Sequence, residues 1–257
     1  MNNFYSLKIF IHYYDFNILQ KLAGTSWGAD PTTLRTAALA LVFSTAEYCC
    51  PVWLNSVHVQ KIDAQLNFSM RIITGTIRST PIQWLPVLSN IVPPHIRRQS
   101  ATWNSWNKFN SFPDSFPILS YVPENRIPRL KSRKPIWSNN FLNSNFSYNE
   151  IWKSEWDVCS LSNKDLISVP SNKVPGFNLP RRIWSLLNRI RTGHGRTNSM
   201  LFKWNSVDSP NCECGESEET VEHLINNCSI YKFQDGIRAI HNISNSFLQW
   251  VENFRSI

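Results

Sequence analysis

The residues best suited to chemistry are three cysteines and a histidine near the carboxyl end, in the pattern Cys212-x-Cys214-Gly215, His223 and Cys228. Thiolates and imidazole are ligands that zinc prefers, and structural zinc sites arrange four of them in a tetrahedron. His223 and Cys228 are five residues apart, about 140° around an ideal helix. Cys228 is therefore expected at or beyond the end of a helix that carries His223. We predict a structural zinc site made of these four side chains.

One detail of this pattern leaves an alternative open. A single residue separates Cys212 from Cys214, whereas common zinc sites have two to four residues there. The alternative is a buried pair of thiols beside a surface histidine. The other cysteines, Cys49, Cys50 and Cys159, have no ligand spacing, and we expect them in the core, since free cysteine behaves as a small hydrophobic residue.

The second candidate site is a basic segment that precedes the cysteines. From position 181 to position 203 the ionic residues are all basic: Arg181, Arg182, Arg189, Arg191, Arg196 and Lys203. Such a set, next to Trp184 and Trp204, favours contact with the phosphates of RNA or DNA. The alternative is the solvated face of an amphipathic helix. Similarly, Gly193-His194-Gly195-Arg196 is either a phosphate-holding loop or a helix end followed by a turn.

Catalytic patterns are missing from the sequence. A nucleotidyl transferase with two metal ions needs clustered carboxylates to hold the ions about 3.5–4 Å apart, but the eight aspartates here are scattered singly. We find neither a nucleophile elbow nor a glycine-rich phosphate loop. We therefore expect no catalytic residue and no small-molecule substrate.

Composition and charge narrow the class of protein. The chain has 257 residues, 26 Lys and Arg against 18 Asp and Glu, and a net charge of +8, which is consistent with an acidic partner. Hydrophobic residues make up 42%, enough to form a core. No apolar run reaches the about 18 residues of a membrane span, and the first residues lack the pattern of a secretion signal. We expect no membrane partner and an intracellular protein of the nucleus, the cytoplasm or both.

The elements that must position these residues are mainly helical. Asp30-Pro31 is a typical helix start. One apolar helix face that ends at Gly75 is predicted by residues spaced by three or four positions. They are Val59, Ile62, Leu66, Met70 and Ile73. Pro93-Pro94 opens a further helix that extends to about residue 109.

The rest of the chain divides by composition. Prolines punctuate residues 110–178 and predict an irregular linker, with one helix near 148–158. Pro180 begins the basic helix. The fold class predicted is mainly α: a small helical bundle, a proline-rich irregular linker and a small helical Cys/His module like a zinc knuckle. The predicted segments are 1–16 (an extension), 17–109 (the bundle), 110–178 (the linker), 179–235 (the basic helix and knuckle) and 236–257 (a helix or tail).

Several segments resemble the polyprotein of jockey-type non-LTR retrotransposons, downstream of its reverse-transcriptase palm. They are residues 21–29 (KLAGTSWGA), 34–38 (LRTAA), 46–49 with 51–53 (AEYC and PVW) and 70–75 (MRIITG). The C-terminal Cys/His motif of the same proteins is similar to a set of residues in this chain: Cys212-x-Cys214-Gly215, Glu219-Thr220, His223 and Cys228. The resemblance spans residues 17–233 and implies a thumb-like helical module that holds template–primer, followed by a nucleic-acid-binding knuckle.

The resemblance also sets what to expect of the activity. The polymerase signature of that family, an aromatic residue, a spacer and two adjacent aspartates, is not in this chain and would lie before residue 17; residues 1–16 do not resemble the family. The leading hypothesis is a C-terminal fragment of an RNA-directed DNA polymerase that lacks the catalytic palm and at most binds RNA or DNA. Mg²⁺ is expected only if a palm is encoded upstream, which is the second hypothesis. The third is a host-captured helical interaction module with a structural zinc knuckle.

Overall fold

The computed structural model describes residues 17–24, 27–113, 115–117, 136, 139–143 and 145–254. The predicted extension at 1–16 lies outside the described residues, as does most of the proline-rich stretch at 118–138. Within the described part the fold is mainly α-helical, which confirms the predicted fold class.

Residues 17–22 are helical and precede a first group of helices. These are α1 (Pro31–Ala37), a π-helical segment (Ala38–Phe43), α2 (Ser44–Glu47), α3 (Cys50–Trp53), α4 (Val59–Thr74), α5 (Trp84–Ser89) and α6 (Pro94–Asn110). The predicted start of α1 is confirmed, since the Asp30 Oδ1 accepts hydrogen bonds from the backbone N–H groups of Thr32, at 2.8 Å, and Thr33, at 3.1 Å. Gly75 ends α4 in the left-handed conformation, at φ 68°.

These helices enclose the N-terminal core. The predicted apolar face of α4 supplies Leu66, Met70 and Ile73, all fully buried. We define the N-terminal core by its buried side chains: Leu19, Ala23, Leu34, Ala38, Val42, Phe43, Ala46, Cys50, Trp53, Ile62, Leu66, Met70, Ile73, Leu85 and Ile91.

The second group of helices follows in the C-terminal half of the chain. It comprises α7 (Tyr148–Val158), α8 (Arg181–Thr192), α9 (Asn198–Lys203), α10 (Val221–Asn226), α11 (Gly236–His241) and α12 (Asn245–Asn253), with 3₁₀ turns at Asn140–Asn143 and Lys164–Leu166. The C-terminal core is the cluster that α7, α8, α10, α11 and α12 bury with part of α5 and α6. It includes Trp84, Trp152, Trp156, Phe177, Trp184, Leu187, Ile190, Cys212, Leu224, Cys228, Phe247 and Val251.

Part of the predicted linker belongs to this C-terminal core. Trp152 and Trp156 of α7 are buried, as are Ile167 and Phe177, and the Trp156 indole N–H donates to the carbonyl of Ile167 at 2.9 Å. The described residues at 145–178 thus differ from the expected linker. The prolines interrupt helices there without exposing the side chains between them, because an irregular backbone can still bury apolar groups.

Two of the cysteines expected in the core lie elsewhere. Cys50 is buried, but Cys49 is exposed and Cys159 is partly exposed. Cys49 has a φ of 53°, a conformation that places it in the turn before α3 instead of on a packed helix face. None of the helices in the described ranges combines the length and the apolar character that crossing a bilayer requires.

Candidate metal centre and basic helix

The four predicted metal ligands lie together. The Sγ atoms of Cys212 and Cys228 are 3.8 Å apart, and Cys214 Sγ is 3.2 Å from His223 Nε2. All four ligand atoms lie within 4.8 Å of one another. Tetrahedral zinc, with bonds of about 2.3 Å to sulfur and 2.0–2.1 Å to nitrogen, needs separations of about 3.6–3.8 Å. The largest separation exceeds that by about 1 Å, so the cluster can hold a metal ion after small movements of its side chains.

A tight turn brings the first two ligands together. The Gly215 N–H donates to the Cys212 carbonyl at 3.0 Å, and the Cys212 N–H donates to the Glu216 carbonyl at 2.9 Å. Gly215 has a φ of 95°, a region that L side chains rarely adopt. The glycine therefore permits a turn in which both thiols point to one side despite the single-residue gap.

Helix α10 positions the other two ligands. Thr220 caps its start, where its Oγ1 accepts from the His223 N–H at 3.0 Å. Cys228 lies two residues beyond the last helical residue, and its N–H donates to the His223 carbonyl at 2.8 Å. This confirms the prediction that Cys228 lies past the helix end, and the bond holds the two ligands close.

The thiols of the cluster differ in electrostatics. The pKa of Cys214 falls to about 7, chiefly because the backbone N–H of Glu216 donates to its sulfur. Burial raises the pKa of Cys212 to about 12. A metal ion binds thiolates, so it would stabilise the deprotonated form of every cysteine in the cluster.

Glu219 supports the Cys/His cluster, a role that its sequence pattern did not predict. This residue is fully buried, and its Oε1 accepts from the backbone N–H of Asn198 at 2.9 Å. Its own N–H donates to the Pro210 carbonyl at 2.8 Å. Glu219 thus ties the start of α9 to the loop that carries the ligands. Its position directly before Thr220 in the Cys/His motif was the available signal.

The Cys/His cluster is also part of the C-terminal core. Val221, Leu224 and Ile225 of α10 are buried in it together with Cys212 and Cys228. The ligand loop therefore rests on the same packed side chains as α8 and α12.

The basic residues separate into two sets. Arg182, Arg196 and Lys203 are exposed, although Lys203 Nζ lies 3.9 Å from a Glu218 carboxylate oxygen. Arg181, Arg189 and Arg191 are 5%, 3% and 0% exposed. These three arginines therefore do not face a phosphate backbone, whereas the sequence predicts this of all six.

The buried arginines occupy a helix junction. The last carbonyls of a helix lack partners within it, and the helix dipole makes that end negative. Side chains of α8 donate to four carbonyls at the end of α4. Arg181 donates to Ile72 and also to Ile73 at 2.7 Å, and Trp184 donates to Ile73 at 2.9 Å. Asn188 donates to Thr74 at 2.9 Å, and Arg189 donates to Gly75 at 3.1 Å. Much of the basic helix thus serves to cap α4.

Arg191 is enclosed by neutral groups. It donates to the Pro175 carbonyl at 2.8 Å, to the His241 carbonyl at 2.9 Å and to His241 Nδ1 at 3.1 Å. Burial lowers the pKa of Arg191 to about 9, which still leaves it charged at neutral pH. Burial and the nearby Arg191 charge lower the pKa of His241 to about 4.

The segment after α8 is a helix end followed by a turn. Gly193 has a φ of 70°, and its N–H donates to the Ile190 carbonyl at 3.1 Å. His194 is partly buried there, and burial followed by the charge of Arg71 lowers its pKa.

Comparison with known proteins points to transposable elements. Over 83 residues the chain is 30% identical to a retrovirus-related Pol polyprotein from the type-1 retrotransposable element R1 of Bradysia coprophila. It is also 30% identical over 83 residues to the corresponding protein of element R1 2 of Nasonia vitripennis. A retrotransposon-related origin follows. Each match covers 32% of this chain, and 8% and 20% of the two relatives. No family model matches the chain, and no solved structure does.

Proposed function

We propose that this chain is the C-terminal part of a non-LTR retrotransposon Pol polyprotein of the jockey type, with a nucleic-acid-binding role and a structural zinc knuckle. The observation that carries the proposal is the Cys212, Cys214, His223 and Cys228 cluster, with all ligand atoms within 4.8 Å, in a chain similar to R1 Pol polyproteins. Three sulfurs and one imidazole suit zinc better than Mg²⁺ or Ca²⁺, which prefer oxygen ligands.

The zinc part of the proposal is tested by native mass spectrometry of the full chain purified with added zinc. We expect one zinc ion per chain, and none in Cys214→Ser. Cys49→Ser is the matched control, because Cys49 is exposed and outside the cluster; it should keep its metal. Wild-type protein without metal would refute the site.

The nucleic-acid part is tested by filter-binding titrations of the zinc-loaded chain with single-stranded and duplex oligonucleotides over a range of salt. Phosphate contacts release counterions, so the logarithm of the single-strand affinity should fall linearly with the logarithm of salt, at a slope of about −0.7 per contact. Affinity that is negligible at low salt, or that does not change with salt, would contradict the proposal.

A further expectation concerns catalysis. The chain has no adjacent aspartates that could hold two ions about 3.5–4 Å apart. The purified 257-residue protein should extend no primer with Mg²⁺ or Mn²⁺. Template-dependent incorporation by this chain alone would overturn the expectation.

A second candidate function is a host-captured interaction module in which the zinc knuckle is only structural. The burial of Arg181, Arg189 and Arg191 favours it, because these arginines cap α4 instead of facing solvent. This candidate predicts one zinc per chain without salt-dependent binding to nucleic acid, so the two experiments together separate the two functions.

A further inference from the structure

A large groove lies on the side of α4 that faces residues 17–24. Its volume is about 970 Å³, at the upper end of the range for pockets that enclose a small ligand. The residues that matter for its chemistry are Gln20, Gln65, Asn67, Arg71, Arg78 and Arg181. Of these six residues, only Arg181 is among the phosphate contacts predicted from the sequence.

No carboxylate among the described residues pairs with the arginines of this groove. Three arginines line it, and none of the lining residues that the structure describes is acidic. Among the described ion pairs, none involves Arg71, Arg78 or Arg181. Burial, followed by the nearby charge of Arg78, lowers the pKa of Arg71. Cations held side by side without a carboxylate favour an anionic ligand.

Two of the three arginines are held in place by the backbone. Arg71 donates to the carbonyls of Ile77, at 2.7 Å, and Thr80, at 2.9 Å, and Arg181 is fixed by the end of α4. Arg78 is exposed and can adjust to a ligand. The groove therefore offers fixed charge in its wall and one adaptable cation on its lining.

One lining residue, Asn67, has an unpaired polar atom that is shielded from solvent, and a turn of its side chain would bring that atom to a ligand. Asn67 has a buried Oδ1 without a hydrogen-bond partner, and buried acceptors of this kind are uncommon. An unpaired nucleobase carries N–H donors on its edge together with a phosphate on its backbone. A duplex keeps those donors paired, and a groove of this volume is too small to enclose one.

We propose that this groove binds a short single-stranded segment of RNA or DNA, with phosphates against Arg78 and the charge of Arg71 and Arg181, and a base edge at Asn67. This inference rests on the proposed nucleic-acid-binding function and moves its main site from the basic helix to the face of α4.

The test uses the full zinc-loaded chain and a fluorescent 12-nucleotide single strand, as RNA and as DNA. Losing one phosphate contact should reduce the salt slope by about 0.7, which corresponds to about eightfold weaker binding at about 0.05 M salt. We expect this of Arg78→Ala and a larger loss for Arg78→Glu. Arg78→Lys should bind nearly as well as wild type, because the contact is with charge.

Two controls make the result specific. Lys61→Ala removes an exposed cation from the same helix outside the groove, and should bind like wild type. The double variant Arg196→Ala, Lys203→Ala removes exposed cations of the predicted basic segment, and should weaken binding less than Arg78→Glu. Wild-type protein that binds no strand would refute the proposed function itself. Wild-type binding that Arg78→Ala and Arg78→Glu leave unchanged would refute only the groove.

Discussion

The two cores of the molecule are built by different means. The N-terminal core is organised around α4, a 16-residue helix whose apolar face is buried along its length. The C-terminal core takes in α10 and α11, each of six residues, and Glu219 ties the six-residue α9 to the same region. Helices shorter than about 12–15 residues are marginal in water, so these three depend on what they pack against. The first core also contains helices of four residues, α2 and α3, so helix length alone does not separate the two cores. We propose that the separating feature is a metal ion at the Cys/His cluster, which would crosslink the second core.

The largest expected effect comes from removing a metal ligand. Structural zinc can supply about 10–16 kcal/mol of apparent binding energy, which acts as folding energy for a small module. In Cys228→Ser, limited proteolysis should therefore cut the chain between residues 198 and 235 while residues 27–113 stay resistant. Cys49→Ser should give the wild-type pattern. If Cys228→Ser is as resistant as wild type throughout, the two cores do not differ in this way.

The junction between the cores should be the next most sensitive place. Gly75 has a φ of 68°, and a Cβ there would lie 2.9 Å from the backbone Cα of Ser185. Gly75→Ala combines left-handed strain with this overlap, and should cost about 3 kcal/mol or more.

Gly193→Ala is the matched control for that change. Its φ is 70°, but the nearest atom to a Cβ is 3.7 Å away, so only the strain of about 1–2 kcal/mol applies. Urea unfolding measures both variants. Equal losses would show that the close approach of α4 and α8 is not tightly packed.

The capping arginines should contribute a somewhat smaller amount. Arg181→Met leaves the carbonyls of Ile72 and Gly24 without their arginine donor and removes one of the two donors to the Ile73 carbonyl. Unsatisfied buried groups cost about 1–3 kcal/mol each, in part relieved by rearrangement, so we expect about 2–3 kcal/mol in total. Arg182→Met, at an exposed position with one bond to the Phe254 carbonyl, should cost under about 1 kcal/mol. The reverse order in urea unfolding would contradict the capping role.

The smallest effect concerns pH. The pKa of His241 is about 4 in the folded chain and about 6.5 when unfolded, so the unfolded chain binds more protons between these values. The stability contributed by neutral His241 is complete above about pH 6.5 and is lost as the pH falls towards 4. Because His241 is only partly buried, solvent screening reduces the amount to about 1 kcal/mol.

His241→Asn isolates that contribution. Asparagine keeps an acceptor for Arg191 but does not titrate, so the difference in unfolding free energy between wild type and variant should change over pH 4–6.5 and stay constant above it. If the unfolding free energies of wild type and variant change in parallel with pH, protonation of His241 does not affect the stability of the C-terminal core.

What the sequence could predict was local. Asp30 and Gly75 mark their helix ends through side-chain and backbone properties of their own, and the position of Cys228 follows from helix geometry. The cap that Arg181 places on α4 joins residues 108 apart, and no local pattern carries that information. Arg71 and Arg78 passed unnoticed for the same reason, since each is a single cation in sequence and the groove appears only after α4 and residues 17–24 pack.

Hydrogen exchange of the zinc-loaded chain, with and without a chelator, compares the two cores most directly. The account predicts that chelation removes protection from α9 and α10 and weakens it in α11 and α12. Helices α1 and α4 should keep their protection, and α8 should keep part of its own through its bonds to α4. Protection that is unchanged everywhere, or lost equally from α4 and α10, would contradict the claim that metal stabilises one core and not the other.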